Sequence, residues 1–203
     1  MKKIQFSYPV FFSYCSIDEV ATGNYISKFH KHFSTILSDI VTQEEVDVSM
    51  PFIDAIDIPS EGDINYLLNE YVQNSFALFI FVGKGYLQSN YCFEELKYFS
   101  NLLNNARDEL QDRVWIFELE PFTPELRTTF QTNLGKAKAV DLTLNVRRSL
   151  YDPRTKKLIS LGDSYPTDQC INLLRPIAAD LVQQIKSLPL LHKSPQPYKI
   201  VRL

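Results

Sequence analysis

The longest uninterrupted apolar stretch in this chain is the run Phe76-Ala77-Leu78-Phe79-Ile80-Phe81-Val82. Apolar and polar residues do not alternate in this run, so both faces of a strand formed by it would be buried, as in the centre of a parallel sheet. It is far shorter than the roughly 20 residues that a membrane-spanning helix needs. The run therefore predicts a central parallel strand and no transmembrane segment.

Short apolar runs alternate with longer segments of helical spacing, which is typical of a parallel sheet with helices on both faces. The other predicted strands are Val10–Tyr14, a segment ending at Phe52-Ile53-Asp54, Val114–Leu119 and Lys138–Leu142. Helices are predicted at about 26–40, 64–74, 90–110 and 168–188, with Asn24 as the cap of the first and Thr167 or Asp168 as the cap of the last. The fold class is therefore predicted to be α/β.

Composition and charge narrow the class of protein. The 203 residues, of which 45% are hydrophobic, are enough for one domain with a full core. The net charge of −3 gives no general field for a phosphate backbone, so we expect no nucleic-acid partner. The first eight residues carry no apolar signal segment, which predicts a cytoplasmic protein. Cys15, Cys92 and Cys170 are too widely spaced to indicate a disulfide framework or a zinc site.

Glycine spacing excludes two nucleotide-binding motifs. Gly83 and Gly85 are followed by Gln88 where a dinucleotide fingerprint needs its third glycine. Leu78 stands five places before the Gly83-Lys84 pair, where a phosphate loop needs glycine. The sequence therefore contains neither signature.

Several polar residues are interpreted as structural or solvated. His30 and His32 are two positions apart on a predicted helix, so they point to different faces and make poor joint metal ligands; both are predicted to be solvated. Asp18 and Glu19 are interpreted as solvated loop charges, and Trp115 as a core residue. No metal site is predicted.

Three segments stand out along the chain: Val10-Phe11-Phe12-Ser13-Tyr14, then Phe52-Ile53-Asp54 with Gly62-Asp63-Ile64, and then Ser89-Asn90-Tyr91-Cys92-Phe93-Glu94-Glu95-Leu96. In order and at the correct spacing, they resemble a TIR (Toll/interleukin-1 receptor) domain. The third segment is similar to the Ser-x-Trp-Cys-x-x-Glu-Leu element of that family. The resemblance covers roughly Tyr8 to Leu188.

The resemblance implies a flavodoxin-like TIR fold, with a five-stranded parallel sheet and a site at the carboxyl ends of the strands. It divides the chain into an N-terminal extension at 1–9, a TIR domain at 10–188 and a tail at 189–203. A hairpin-like insertion around Pro153, at about 145–165, is predicted because this segment lacks helical spacing.

Many TIR domains cleave NAD+, and these carry a glutamate three residues after the cysteine position, which is Glu95 here. The chemistry is compatible with a single acid. Nicotinamide leaves NAD+ as a neutral base, so no general acid is needed, and one carboxylate can stabilise the positive charge that develops on the ribose. An acidic residue early in a helix is also favoured by the helix dipole alone, so a purely structural role for Glu95 stays open.

The predicted substrate-binding residues surround this acid. Tyr91 lies four residues before Glu95, so a helix brings both onto one face, where the ring can pack against ribose or nicotinamide. Ser89 can cap the helix or bind substrate. The resemblance also implies contributions from Phe12, Ser13 and Ile64, of which Ile64 stands where NAD+-cleaving relatives have an aromatic residue.

The resemblance further places the family's BB loop, a movable lid, at Ala55–Gly62. Cys92 matches the family's cysteine, and a buried structural thiol is its expected role. Where several relatives carry arginines after the first strand, this chain has Cys15 and Ser16, so phosphate binding is expected from elsewhere.

The leading functional hypothesis is a TIR-type NAD+ glycohydrolase or ADP-ribosyl cyclase that uses NAD+ as substrate and needs no cofactor. It would self-associate with other TIR domains and work with a separate effector or sensor chain, like the stand-alone TIR proteins of bacterial antiphage systems such as Thoeris. The competing hypothesis is a non-catalytic TIR scaffold or virulence adaptor. A receiver or flavin protein is disfavoured, because Ser13-Tyr14 and Val82-Gly83 stand where a receiver needs acidic residues.

Overall fold

The structure of the protein is a computed structural model that describes residues 8–44, 52–53, 71–102, 112–136 and 146–187. The strands are β1 (Tyr8–Ser13), β2 (Phe52–Ile53), β3 (Ser75–Val82), β4 (Val114–Glu118) and β5 (Val146–Ser149). The helices are α1 (Ser16–Ala21), α2 (Tyr25–Gln43), α3 (Lys84–Gln88), α4 (Asn90–Leu102), α5 (Pro124–Lys136) and α6 (Asp168–Ser187). Among these helices, none is long and apolar enough to cross a membrane.

The five strands form one parallel sheet in the order β2-β1-β3-β4-β5. Phe12 of β1 pairs with Phe79 of β3, and Phe79 pairs with Trp115 of β4. After β1 the chain adds β2 on one side and β3 on the other, so the direction of winding reverses between β1 and β3. This is the flavodoxin-like order, in which ligands bind beyond the carboxyl ends of the strands at the reversal. The predicted fold class is confirmed.

The fifth strand differs from the sequence prediction. Lys138–Leu142 lies outside the described residues, and β5 is formed by Val146–Ser149, at the start of the segment interpreted as an insertion. An antiparallel bridge between Tyr151 and Leu158 follows directly after β5. At the other end, β1 begins at Tyr8, inside the range assigned to the N-terminal extension.

One face of the sheet is aromatic. Phe79 and Phe81 lie with their ring centroids 4.9 and 5.1 Å from that of Phe117, and Phe12 stacks on Phe81. Helices α2 and α6 cover this face, with Phe29 of α2 packed edge-on against the sheet. Each buried ring removes a large apolar surface from water, so this layer supplies much of the stabilising burial.

The opposite face is mainly aliphatic and is covered by α3, α4 and α5. Because side chains alternate along a strand, Phe11 and Ser13 share this second face while Phe12 points to the first. The remaining strand residues on the second face are Leu78, Ile80, Val82, Val114 and Ile116. The helix that carries Glu95 therefore packs on the same side of the sheet as Ser13.

Helix α5 was not predicted from the sequence. Thr123 caps it by accepting a hydrogen bond from the N–H of Leu126 at 3.2 Å, and Pro124 occupies its first position, both of which are typical helix starts. Among residues 124–132 of this helix, whose burial is described, Phe130 alone is buried in the core, with Leu126 packed against it, so the apolar period there is too weak to detect. The start signals Thr123 and Pro124 could have been used to predict this helix from the sequence.

The caps of the two longest helices were predicted with mixed success. Thr167 caps α6, as expected, by accepting a hydrogen bond from the N–H of Cys170 at 3.1 Å. Asn24 is left-handed, with φ of 61°, and its side chain makes no capping hydrogen bond to α2. Glu19 does so instead, and its two oxygens accept the N–H groups of Ile26 and Ser27 at 2.8 and 2.9 Å.

Asp18 has a matching role at a second helix. Its carboxylate accepts the N–H groups of Gly85 and Tyr86 at 2.8 and 2.7 Å, at the first turn of α3. Asp18 and Glu19 are 6% and 8% exposed. The prediction that they are solvated loop charges is therefore wrong, because helix N–H groups compensate their burial.

The glycines beside Asp18 allow this close approach. A Cβ atom added at Gly83 would lie 2.7 Å from the Asp18 carboxyl carbon, and one added at Gly85 would lie 2.9 Å from an oxygen of the same group. Both distances are too short for any larger residue unless Asp18 moves. Gly83 and Gly85 thus serve the capping contact with Asp18.

The two histidines of α2 differ in environment. His32 is 2% exposed, and its Nε2 lies 3.1 Å from the carbonyl oxygen of Gly162, so the prediction that it is solvated is wrong. The His30 ring packs edge-on against Phe12. Trp115 is buried in the core, as predicted.

We expect Asp18→Ala to lower the free energy of unfolding by about 2 to 4 kcal/mol, because two buried N–H groups lose their acceptor. Asp18→Asn should lose less, since one oxygen remains. Urea denaturation measures both. Asp39→Ala, at an exposed position on α2, is the control and should change stability by less than about 0.5 kcal/mol. An equally small loss in Asp18→Ala would contradict the capping role.

Candidate functional site

The helix that presents the candidate acid begins at a serine cap. Ser89 precedes α4, and its Oγ accepts a hydrogen bond from the N–H of Cys92 at 3.3 Å. This is the capping role that the sequence offered as one of two alternatives for Ser89. The cap fixes the first turn of α4, which carries Tyr91 and leads directly to Glu95.

Glu95 is 2% exposed, and its side chain reaches the end of the first strand. The Ser13 hydroxyl donates a hydrogen bond to its Oε2 at 2.5 Å. Ser13 is the last residue of β1 and is 1% exposed. A hydrogen bond in the interior thus joins two residues that are 82 positions apart in the sequence.

A third residue, Tyr86, completes this cluster. Its hydroxyl oxygen lies 3.2 Å from the Ser13 Oγ and 3.4 Å from the carbonyl oxygen of Cys92. Tyr86 is fully buried, and burial raises the pKa of its phenol well above the ordinary value. The sequence analysis did not select Tyr86, because nothing in the local pattern shows that α3 folds back onto β1.

The cluster of Ser13, Tyr86 and Glu95 lies at the topological reversal of the sheet. Ser13 pairs with Ile80, near the carboxyl end of β3, so the cluster stands where the carboxyl ends of β1 and β3 meet. This is the place at which open parallel sheets bind ligands. Two of the predicted site residues, Glu95 and Ser13, are therefore brought into direct contact there.

The structure does not bring every predicted residue to this cluster. Tyr91 is half-buried against the core on the same face as Glu95, in line with their helical spacing. The Phe12 ring is fully buried in the aromatic layer on the opposite face. Ile64 and the predicted lid at Ala55–Gly62 lie outside the described residues.

Cys92 is 1% exposed, as expected for a structural thiol. Burial, and then the nearby Glu95 carboxylate, raise the pKa of the Cys92 thiol far above its ordinary value. The thiol is therefore protonated at neutral pH and is unsuited to act as a nucleophile.

A second buried acid lies at the same edge of the sheet. Glu118, the last residue of β4, is 1% exposed and accepts hydrogen bonds from the hydroxyls of Ser149 at 2.9 Å and Tyr151 at 3.1 Å. The sequence analysis missed this contact as well. It ties the segment after β5 to the carboxyl end of the sheet.

The turn between β3 and α3 is already occupied by carboxylates. The N–H of Lys84 donates to Glu120 at 3.1 Å, and the next two N–H groups donate to Asp18. These are the groups with which a phosphate loop would bind its anion. In this turn, these donors are used within the chain.

Within the described ranges, no three or more His, Cys, Asp or Glu side chains come together in a group that could hold a metal ion. Glu95, Glu118 and Asp18 accept hydrogen bonds from hydroxyl and backbone N–H groups.

No protein-family model matches this sequence, and no curated protein matches it. Among solved structures, the TIR domains of the activated Roq1 resistosome, which directly recognises the pathogen effector XopQ, are 15% identical over 88% of this chain and 99% of theirs, with a TM-score of 0.45. The chain is similar to TIR domains in its fold. The TIR domain of the Toll-related receptor TRR-2 from Hydra magnipapillata is 12% identical over 64% of this chain and 98% of its own, with a TM-score of 0.34.

We expect a thiol reagent such as Ellman's reagent to modify Cys15 alone in the folded protein at pH 8. Cys15 is half-buried, whereas burial raises the pKa of Cys170 to about 11 and that of Cys92 further, so both remain neutral thiols. Denatured protein should react at all three. Cys15→Ser is the control and should abolish the native reaction. Rapid native labelling of Cys92 would contradict its burial beside Glu95.

Proposed function

We propose that this chain is a TIR domain that cleaves the bond between nicotinamide and ribose in NAD+. The observation that supports this most is the buried Glu95 carboxylate, held by Ser13 at the carboxyl ends of β1 and β3. A buried acid at the ligand-binding reversal of a parallel sheet is a candidate functional group on physical grounds alone. It is also the residue to which the sequence resemblance assigns catalysis.

Cleavage of this bond requires one anionic group from the protein and no general acid. The C1′–N bond breaks with its electron pair going to the pyridinium nitrogen, so nicotinamide departs as a neutral base. The ribose gains oxocarbenium character, and water or an internal nucleophile then adds to C1′ and loses its proton. Glu95 would stabilise the positive charge and orient the ribose hydroxyls, an effect that is stronger in a site shielded from water.

The negative charges near the carboxyl end of the sheet favour the nicotinamide end of NAD+, which is cationic. Asp18 and Glu19 follow β1 and Glu118 ends β4; each of the three is buried, as Glu95 is. Hydrogen bonds from neutral donors offset only part of a carboxylate's charge. The resulting field attracts the pyridinium of NAD+ and repels its diphosphate, so we expect the nicotinamide end to enter this edge first.

The proposed products are nicotinamide with ADP-ribose, or with a cyclised or conjugated derivative of it. In a cytoplasmic setting such a product could act as a diffusible signal for a separate effector chain, as in the antiphage role to which the resemblance points. Mass spectrometry of the reaction products distinguishes linear, cyclic and conjugated forms.

We expect purified protein to release nicotinamide from NAD+, and Glu95→Gln to release it about 100-fold more slowly or not at all, because a neutral amide cannot stabilise the cation. Chromatographic measurement of nicotinamide, with and without a crowding agent, tests this. Glu94→Gln is the matched control, since its exposed side chain pairs only with Lys97 among the contacts described, at 3.2 Å, and it should retain wild-type activity. Equal rates in wild type and Glu95→Gln would refute the proposal.

A second candidate function, an interaction module, is favoured by the surface of α1. Ile17 and Val20 lie one helical turn apart on α1 and are 67% and 76% exposed. They form a small apolar patch, here called the α1 patch. We propose that a second copy of the chain covers the α1 patch. Such self-association fits both an enzyme that assembles and a scaffold without catalysis.

We expect the double variant Ile17→Glu/Val20→Glu to lower self-association at least about tenfold, because two charges would have to be buried in the contact. Light scattering across a concentration series, with or without NAD+, measures this. Tyr165→Glu is the control, since Tyr165 is 85% exposed on another segment and its replacement should leave association unchanged. If the double variant associates as strongly as wild type, the α1 patch is not the contact.

A further inference from the structure

We infer that Tyr86 is a positioning residue that orients the Glu95 carboxylate through the Ser13 hydroxyl. The inference rests on the proposed function for its effect on catalysis, but the three-residue contact can be tested without activity. Neither the sequence resemblance nor the predicted site includes Tyr86.

The direction of the hydrogen bonds follows from the chemistry of the groups. A carboxylate only accepts, so the single proton of Ser13 is committed to Glu95 Oε2 at 2.5 Å. The Ser13 Oγ can then take part in a further bond only as an acceptor. The Tyr86 hydroxyl, 3.2 Å away, is thus the donor, and the order of donation is Tyr86 to Ser13 to Glu95.

Tyr86 is itself held rigidly. Its N–H donates to Asp18 at 2.7 Å, and its ring is fully buried with an edge-on contact to Phe93. Burial raises the pKa of the phenol well above its ordinary value, so the hydroxyl keeps its proton throughout the physiological range. The competing acceptor, the carbonyl oxygen of Cys92, is farther away at 3.4 Å.

A serine hydroxyl that makes a single hydrogen bond can change its orientation, and the carboxylate that it contacts can move with it. A second bond, from a rigid donor to the Ser13 oxygen, fixes the hydroxyl in the direction of Glu95. Because a displacement of about 1 Å in a reacting group can cost about 100-fold in rate, a support of this kind acts on turnover rather than on substrate affinity.

A double-mutant cycle in the full chain tests the inference, with Tyr86→Phe, Ser13→Ala and their combination. We expect Tyr86→Phe to lower kcat for nicotinamide release about tenfold while KM stays within about twofold. Ser13→Ala should lower kcat at least as much. If Tyr86 acts through Ser13, adding Tyr86→Phe to Ser13→Ala should cause no further loss.

Tyr25→Phe is the matched control. Tyr25 is another buried tyrosine; its hydroxyl donates to the backbone carbonyl of Leu150 at 3.4 Å, and it lies on the other face of the sheet. Its loss should leave kcat and KM unchanged. Ser13→Thr retains the hydroxyl and should restore most of the kcat lost in Ser13→Ala. Fully multiplicative losses in the double variant would overturn the inference.

A second readout separates the inference from the proposed function. The 13C resonance of the Glu95 carboxyl carbon, identified by its disappearance in Glu95→Gln, should shift in Tyr86→Phe but not when Tyr86→Phe is added to Ser13→Ala. If this pattern is seen in a protein that releases no nicotinamide, the proposed function fails and the positioning contact stands. If Tyr86→Phe leaves the resonance in place, the inference fails whatever the activity.

Discussion

The carboxyl end of this sheet depends on buried carboxylates that are satisfied by neutral donors. An isolated buried charge is costly, and it persists only where hydrogen bonds replace its lost hydration. Asp18 and Glu19 each take two helix N–H groups, Glu118 takes two hydroxyls, and Glu95 takes the Ser13 hydroxyl. The contacts of Glu118 join β4 to β5, and those of Asp18 and Glu19 join α1 to α3 and α2. Because Asp18 holds the N–H of Tyr86, whose hydroxyl contacts Ser13, the geometry around Glu95 is connected to a bond that holds a helix end in place.

The two faces of the sheet differ in composition. The face under α2 and α6 is packed with aromatic rings, including Phe12, and has little polar content beyond His32 and Tyr25. The other face combines aliphatic strand residues with Ser13, Tyr86 and Glu95. A stiff aromatic layer behind β1 and β3 keeps the ends of these strands in register. A few hydrogen bonds can then position the cluster of Ser13, Tyr86 and Glu95, because the aromatic layer supplies much of the stabilising burial.

Much of the fold could be predicted from the sequence, because the core strands and long helices carry strong periodicity. The run Phe76–Val82 predicted the central strand, and the resemblance implied a flavodoxin-like parallel sheet of five strands. Helix α5 was missed because few of its described side chains are apolar and buried, and β5 was not predicted because two arginines occupy its centre. For the site, the resemblance to TIR domains selected Glu95 and Ser13. It could not show that they touch, or that Tyr86 joins them 73 positions from Ser13, since such contacts depend on the tertiary fold. Asp18 and Glu19 were misread for the same reason.

The contact between Asp18 and the two glycines limits how this chain can change. With so little space at positions 83 and 85, a methyl group at either one is tolerable only if residue 18 becomes smaller or turns away. A substitution at position 83 or 85 therefore requires a change or a movement at position 18, although position 18 is far from both in the sequence. To convert this turn into a phosphate cradle, by evolution or by design, the acid would have to be removed first, and the helix end would then be left to the incoming anion.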